Sequence, residues 1–419
     1  MSIYDVLIVG AGTGGVMAAA QLKNANGKLR VGIIDPADTH WYQPAWTLVG
    51  AGTFDYKKTA RPMASIIPRG VEWLKDKVTT FDPANNQLNT AESGTLGYRY
   101  LIVAPGLQYD IDAMPGLREA LDTPYVCSNY LNPEKTWEVL QNFKGGNALF
   151  TQPSTPIKCG GAPQKIMYLA EHYFRKAGKR KGTNVIFATP GSIIFGVPDF
   201  ARTLNGIIAN RNIHFKRFYN PVAIDSVNKT VTFKFIAPSG SDCILTQEAG
   251  LHETLKGDTE ITIPYDMLHL APPQSAPDFV KKSPFAVQEG PGAGWMSVDK
   301  NSLQSTSFEN VYGLGDVVNV PTAKTGAAIR KQAPVVVKHI LAALSNQKAT
   351  DSYEGYSSCP LVTGYGRMVL AEFKYDNVRD SDPFLTKFVD TSKEQWSMWI
   401  LKKYGLPWLY WNRMMKGKM

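Results

Sequence analysis

The stretch "YDVLIVGAGTGGVMAAAQL", Tyr4 to Leu22, constrains this chain more than any other. Tyr4 to Val9 form a largely apolar run, the kind required of a strand buried on both faces of a parallel sheet. Gly10, Gly12 and Gly15 follow in GxGxxG spacing and lead into a helix, and "LRVGIID" supplies the next strand. Such a βαβ unit lets the backbone of its first turn approach a pyrophosphate at the helix N-terminus. Asp35, 20 residues beyond Gly15, ends the second strand, where a carboxylate meets ribose hydroxyls. The unit reads as a dinucleotide-binding turn rather than a merely structural Gly-rich one.

FAD and NAD share that fingerprint, so distant segments must choose between them. "YRYLIVAPGLQY" is a strand ending in Ala104-Pro105-Gly106, and "FENVYGLGDVVNVPTAKTGAA" is a strand followed by Gly315-Asp316 and a helix start. Both resemble the second and third FAD segments of the two-dinucleotide-binding flavoprotein superfamily. The resemblance implies FAD as cofactor, with Asp316 at its ribityl chain. FAD is long, so residues far apart in sequence must converge along it.

The fold expected is α/β with two Rossmann-like domains and a C-terminal membrane-associating helical region. The first part of the FAD domain spans 1–120, an inserted second domain 121–295, the rest of the FAD domain 296–345, and the C-terminal region 346–419. In the inserted domain "GNALFTQPS" and "TNVIFATP" are strands flanking the helix "PQKIMYLAEHYFRKAG". NAD(P)H-dependent relatives carry a second GxGxxG after the first of these strands, but here stands "PSTPIKCGGAPQK". The usual nicotinamide phosphate site is therefore expected to be missing, and the electron donor to be something else.

Cys159 stands in that loop, beside a helix N-terminus, with Lys158 next to it and Lys165 one helical turn on. That setting lowers a thiol pKa and favours the thiolate. The other cysteines, Cys127, Cys243 and Cys359, show no CxxC spacing and the six histidines no ligand pattern, so no metal is expected. Net charge is +9 without any nucleic-acid-binding motif, so a nucleic acid partner is not expected. The basic residues concentrate in "TSKEQWSMWILKKYGLPWLYWNRMMKGKM", interleaved with aromatics, which suits an interfacial amphipathic helix pair. The N-terminal sequence shows no targeting pattern and the chain no apolar run of about 18 residues. A start in the cytoplasm and peripheral attachment to a membrane are expected.

Taken with "HWYQPAWTLVGAG", "YDMLHLAPP" and "YSSCPLVTGYGRMVLAEF", these segments resemble sulfide:quinone oxidoreductases of the type found in mitochondria and their bacterial relatives. The resemblance covers nearly the whole chain, and its two cysteine segments discriminate best. It implies FAD-dependent oxidation of sulfide through a Cys159–Cys359 redox pair, with electrons passed to a membrane quinone. Cys359 would take the incoming sulfur as a persulfide, Cys159 would leave as the thiolate facing the flavin, and a small thiol, sulfite or cyanide would accept the sulfur. Lys165 and Lys324 match lysines that approach the flavin. Tyr365, Phe373, Trp396, Trp399 and Trp408 are candidates for quinone or lipid contact. Other types of this enzyme use a third redox cysteine; Cys127 lies in roughly that region, but a structural role is preferred for it, and Cys243 reads as incidental. A solvated helix face is preferred for Glu171 and His172 over proton transfer. The expected address is the cytoplasmic face of a bacterial inner membrane, with a homo-oligomer left open. Two alternatives stand beside this reading: a type II NADH:quinone oxidoreductase, and a nonenzymatic flavin-bound thiol redox sensor.

Overall fold

A computed structural model describes residues 2–419. The opening apolar run forms β1 (Ile3–Val9), whose last four residues are all buried. It leads through α1 (Thr13–Ala25) to β2 (Val31–Ile34), and β3 (Val71–Leu74) and β4 (Thr95–Val103) complete a parallel set in the order β3-β2-β1-β4. Each fully buried aliphatic side chain here contributes roughly 1.5–3 kcal/mol over exposure, which is why the run tolerates so few polar residues.

A second sheet of five parallel strands follows: β5 (Val126–Cys127), β6 (Gly146–Thr151), β7 (Thr183–Thr189), β8 (Ile213–Arg217) and β9 (Met267–Leu270), ordered β5-β9-β6-β7-β8. The helix α2 (Ala162–Lys176) joins β6 to β7. An antiparallel four-stranded sheet drawn from residues 219–264 shares a hydrophobic core with this sheet.

The chain then returns to the first sheet. β10 (Val311–Gly313) pairs in parallel with Leu101–Val103 of β4, while Thr95–Gly97 of the same strand pair antiparallel with Gln87–Asn89. After α3 (Gly326–Leu344), β11 (Ser357–Gly364) and β12 (Arg367–Lys374) form a hairpin packed on α2. The C-terminal segment holds α4 (Trp396–Ile400), a π-helical turn over Leu401–Gly405, and α5 (Leu406–Asn412). Its end is tied to α1: Gln21 Nε2 donates to the Met419 carbonyl at 2.7 Å, and Asn24 Nδ2 to that of Lys416 at 2.9 Å.

Candidate active site

Four loops converge on a cavity of about 720 Å³: the turn after β1, the segment His40–Thr47, the turn after β4, and the Gly315-Asp316 turn after β10. Gly12, Asp35, Ala104, Gly106, Gly315, Asp316 and Lys324 all line it. Gly10 and Gly15 stand behind the lining, and at Gly15 a Cβ would sit 1.9 Å from the Gly10 carbonyl, so α1 can start this close to β1 only with glycine there. A Cβ at Gly12 would meet nothing within 4 Å, and α1 carries no side-chain cap there. Its first backbone N–H groups are thus left for an anionic ligand. Asp35 is fixed by the N–H groups of Ala11 (2.7 Å) and Ala37 (2.8 Å). Burial raises the Asp316 carboxyl above its ordinary range, opposed by Lys158 and Lys324. Burial in turn lowers both lysines to about 8. Such a cradle fits a long cofactor with a diphosphate, two ribose-like hydroxyl sets and a ring system.

Cys159 lies at the end of the loop joining β6 to α2 and lines this cavity. Its φ of +52° is left-handed, a conformation that costs a non-glycine residue about 1–3 kcal/mol and that the surroundings must enforce. They do so through two backbone bonds of 2.7 Å, Cys159 N–H to the Lys324 carbonyl and Ala162 N–H to the Cys159 carbonyl. Lys165, only 2% exposed, donates from Nζ to Cys159 Sγ at 3.0 Å. Cys359, on β11, hydrogen-bonds to the same sulfur. That bond and the Lys165 ammonium hold the Cys159 thiol well below its ordinary range despite burial. The bond to Cys159, with burial, pushes Cys359 well above it. The free pair thus favours the thiolate at Cys159 and the thiol at Cys359.

A second cavity, of about 580 Å³, opens on the far side of the pair and is lined by Cys359, Gly160, Gly161, Phe195, Asn319 and Lys374 among others. The hairpin is the wall between the two. Along β11 and β12, Ser358, Pro360, Leu370 and Glu372 line the large cavity, while Cys359 and Phe373 line the second, joined by Lys374 where β12 ends. Strand alternation puts adjacent residues on opposite faces. Gly161 permits the contact with α2, since a Cβ there would meet Leu361 Cδ2 at 2.6 Å.

A pyridine nucleotide-disulphide oxidoreductase family profile matches residues 4–138. The mitochondrial sulfide:quinone oxidoreductase of Mus musculus is 42% identical over 416 residues, covering 99% of this chain and 87% of the relative. This chain belongs to the sulfide:quinone oxidoreductase family. The mitochondrial sulfide:quinone oxidoreductase of Dictyostelium discoideum is 38% identical, over 100% of this chain and 87% of the relative. The solved sulfide:quinone oxidoreductase of Aquifex aeolicus shares the fold with a TM-score of 0.75 at 19% identity, covering 98% of this chain and 92% of that one. Members of the family are FAD-dependent oxidoreductases, and FAD suits the cradle described above. The first relatives are mitochondrial by name, so the bacterial inner membrane expected from sequence is unsupported.

Several candidate residues stand elsewhere than sequence suggested. Phe373 (6% exposed) and Trp399 (7%) are core residues, so neither faces lipid. Tyr365 is half-buried, donates to the Ala51 carbonyl at 3.0 Å, and lies outside the large cavity. Trp396 and Trp408 are exposed and also lie outside it. In place of a helix pair there is one helical stretch interrupted by the π-turn, which stands just ahead of Pro407, a residue with no N–H to continue the preceding turn's bonding. Lys324 donates to the carbonyls of Asp316 and Val318 (2.7 and 2.9 Å) and stacks on Trp295. Glu171, expected on a solvated face, is fully buried and ion-paired to Arg175 at 2.8 Å. Burial lowers His172 to about 4, and its Nδ1 accepts from Tyr365 N–H. Cys127 is buried in β5, its thiol raised to about 12 by burial, and Cys243 lies in a loop.

Lys402 was missed. It is 2% exposed, lines the large cavity, and donates to the Pro44 carbonyl at 2.8 Å. Burial and the charge of Lys165 lower it to about 7, opposed by the two cysteines. Its signal was spacing, since it follows buried Trp399 by three residues and so shares its helix face. Among the described residues no cluster of His, Cys, Asp and Glu could hold a metal ion, and no helix is long and apolar enough to cross a membrane.

Proposed function

We propose that this protein oxidises sulfide at the Cys159–Cys359 pair, leaves the sulfur as a Cys359 persulfide, and sends the electron pair to a membrane quinone. The observation that carries this is the division of the pair between the two cavities: Cys159 lines the one built from the cofactor loops, Cys359 the other.

In the oxidised enzyme the two sulfurs are bonded, and HS⁻ entering the second cavity attacks Cys359 Sγ. A new S–S bond forms there, the Cys159–Cys359 bond breaks, and Cys159 leaves as the thiolate. Thiolates of low pKa leave faster, and Lys165, 3.0 Å from Cys159 Sγ, stabilises this one. A small nucleophile such as a thiol, sulfite or cyanide then takes the outer sulfur from Cys359. The lysines at the mouth and wall of that cavity, Lys374 and Lys324, favour anionic acceptors. Re-forming the Cys159–Cys359 bond releases two electrons. FAD, when bound, would supply the two-electron acceptor between this pair and the quinone. Gly12 and the start of α1 would hold its diphosphate, Asp35 the ribose, and Asp316 the ribityl chain.

The quinone fits the apolar end of the large cavity, walled by Pro360, Leu370, Phe384, Leu385, Leu401 and Leu406. Phe384, Phe388, Trp396 and Trp408 are exposed near that end of the chain, with Lys387, Lys393 and Lys403 among them. Aromatics interleaved with lysine suit the headgroup level of a bilayer, so the segment would dock peripherally.

The test is the anaerobic visible spectrum during titration with sulfide, then NADH, followed by quinone. Bleaching of the flavin band by sulfide and its return on adding quinone are expected. Rapid bleaching by NADH with none by sulfide would overturn the reading.

A further inference from the structure

Reducing a quinone to a quinol consumes two protons as well as two electrons, and an apolar pocket supplies none unless a side chain delivers them. Glu372 is a carboxylate set in that wall. It is 5% exposed, lies on β12 directly opposite Ser358, and lines the large cavity beside Leu370 and Leu385. A lone buried carboxylate costs several kcal/mol unless its oxygens are partnered. Both are: Oε1 accepts from the Tyr356 hydroxyl at 2.6 Å, and Oε2 from the Asp382 N–H at 2.9 Å. The Tyr356 hydroxyl itself accepts from Arg330 Nη2 at 2.7 Å. Asp382 is exposed to solvent and also lines the cavity. Asp382 meets Glu372 through its main-chain N–H, while its own Oδ1 accepts from the N–H groups of Phe384 (2.9 Å) and Leu385 (3.1 Å), so Glu372 is the ionisable group of this wall and stands next to an exposed turn.

We propose that Glu372 carries protons to the quinone, taking each from water at the exposed mouth of the cavity beside Asp382. This rests on the quinone occupying the apolar end of the cavity. As the electron pair reaches the quinone, Glu372, whose two oxygens both accept hydrogen bonds, takes up a proton from water and passes it to one quinone oxygen. A second proton, taken from water and passed on by the same carboxylate, completes the quinol. Two electrons from sulfide and two protons from solvent balance the step. The carboxylate left between transfers is stabilised by the Tyr356 hydroxyl, behind which stands the Arg330 guanidinium. The charged and titratable groups facing Glu372 are Tyr356 ahead of β11, Arg330 and Lys331 on α3, and Asp380 and Asp382 after β12.

The experiment measures the two half-reactions of the FAD-loaded enzyme separately by stopped flow, for wild type, Glu372→Gln and Glu372→Asp, with a short-chain ubiquinone. Flavin content and quinone affinity are read alongside. General acids typically contribute about 10²–10⁴-fold. Glu372→Gln is expected to slow reoxidation by quinone about a hundredfold and to flatten its pH dependence. Reduction by sulfide should stay within about twofold, flavin content and quinone affinity should hold, and Glu372→Asp should recover part of the loss. Equal slowing of both half-reactions, or loss of flavin, would make Glu372 a structural residue and overturn the proposal. So would reoxidation of Glu372→Gln at the wild-type rate. If the quinone failed to reoxidise wild type at all, the quinone reading would fall first and this proposal with it, an outcome distinct from the other two.

Discussion

Lys165→Met isolates what makes Cys159 the leaving sulfur. The lysine is 2% exposed, and methionine matches its stem, so the fold should accept the change while losing only the ammonium. The bond removed is charge-assisted and 3.0 Å long. Such bonds contribute about 1.5–3 kcal/mol. The thiolate–thiol balance of Cys159 should therefore move toward the thiol by roughly 10- to 100-fold. The sign follows from the acid involved: the ammonium favours the thiolate, so its loss favours the thiol. The assay is alkylation of the reduced protein by iodoacetamide across pH, with Cys159 followed by mass spectrometry. The midpoint of the rate should move up accordingly, and sulfide-driven flavin bleaching below it should slow about tenfold or more. An unmoved midpoint would refute the reasoning and leave the Cys359 hydrogen bond as the main stabiliser.

Cys159→Ser and Cys359→Ser should each abolish bleaching by sulfide while retaining FAD, read from the flavin absorbance of the purified proteins. Gly15→Ala should fail to retain FAD, because its Cβ would meet the Gly10 carbonyl at 1.9 Å; normal flavin content would contradict the close approach of α1 to β1. Lys402 falls from its ordinary 10.5 to about 7, so between those values the unfolded chain holds a proton that the folded chain lacks. The resulting cost to stability is full below pH 7 and fades as pH rises toward 10.5, so Lys402→Met should raise Tm more at pH 7 than at pH 10. Trp396→Ser with Trp408→Ser should leave stability within about 1 kcal/mol but reduce co-sedimentation with anionic vesicles.

What the sequence disclosed is local. The glycine spacing, Asp35 and the cysteine ahead of α2 each depend on a few adjacent residues, and so does the absent second glycine loop. Contacts between distant residues were not legible. Nothing near Cys359 in the chain indicates that its thiol meets Cys159, 200 residues earlier, and only family resemblance suggested it. Lys402 sat in a run so basic and aromatic that it read as surface, although its spacing from Trp399 turned it inward. Glu171 misled in the same way: the helix face that carries it is covered by arginines from other elements, Arg180 and Arg211. Phe373 and Trp399 show the limit of composition, since an aromatic that suits a membrane suits a core equally well.

The two-faced hairpin of β11 and β12 has a consequence for chemical compatibility. Persulfides and hydrosulfide are strong nucleophiles and quinones are electrophiles; mixed in one chamber they add to each other and destroy both. On the function proposed above, one strand's thickness of protein would keep them apart, and the alternation along Ser358, Cys359 and Pro360 would decide which side each reagent meets. Cys359 presents its sulfur to one chamber, and its neighbours Ser358 and Pro360 face the other. Only electrons need to cross. Inserting a single residue ahead of Cys359 would exchange the two faces and bring the sulfur to the quinone. On that function the hairpin would serve as a separator between incompatible reagents, and its tolerance for insertions should be far lower than its modest length suggests.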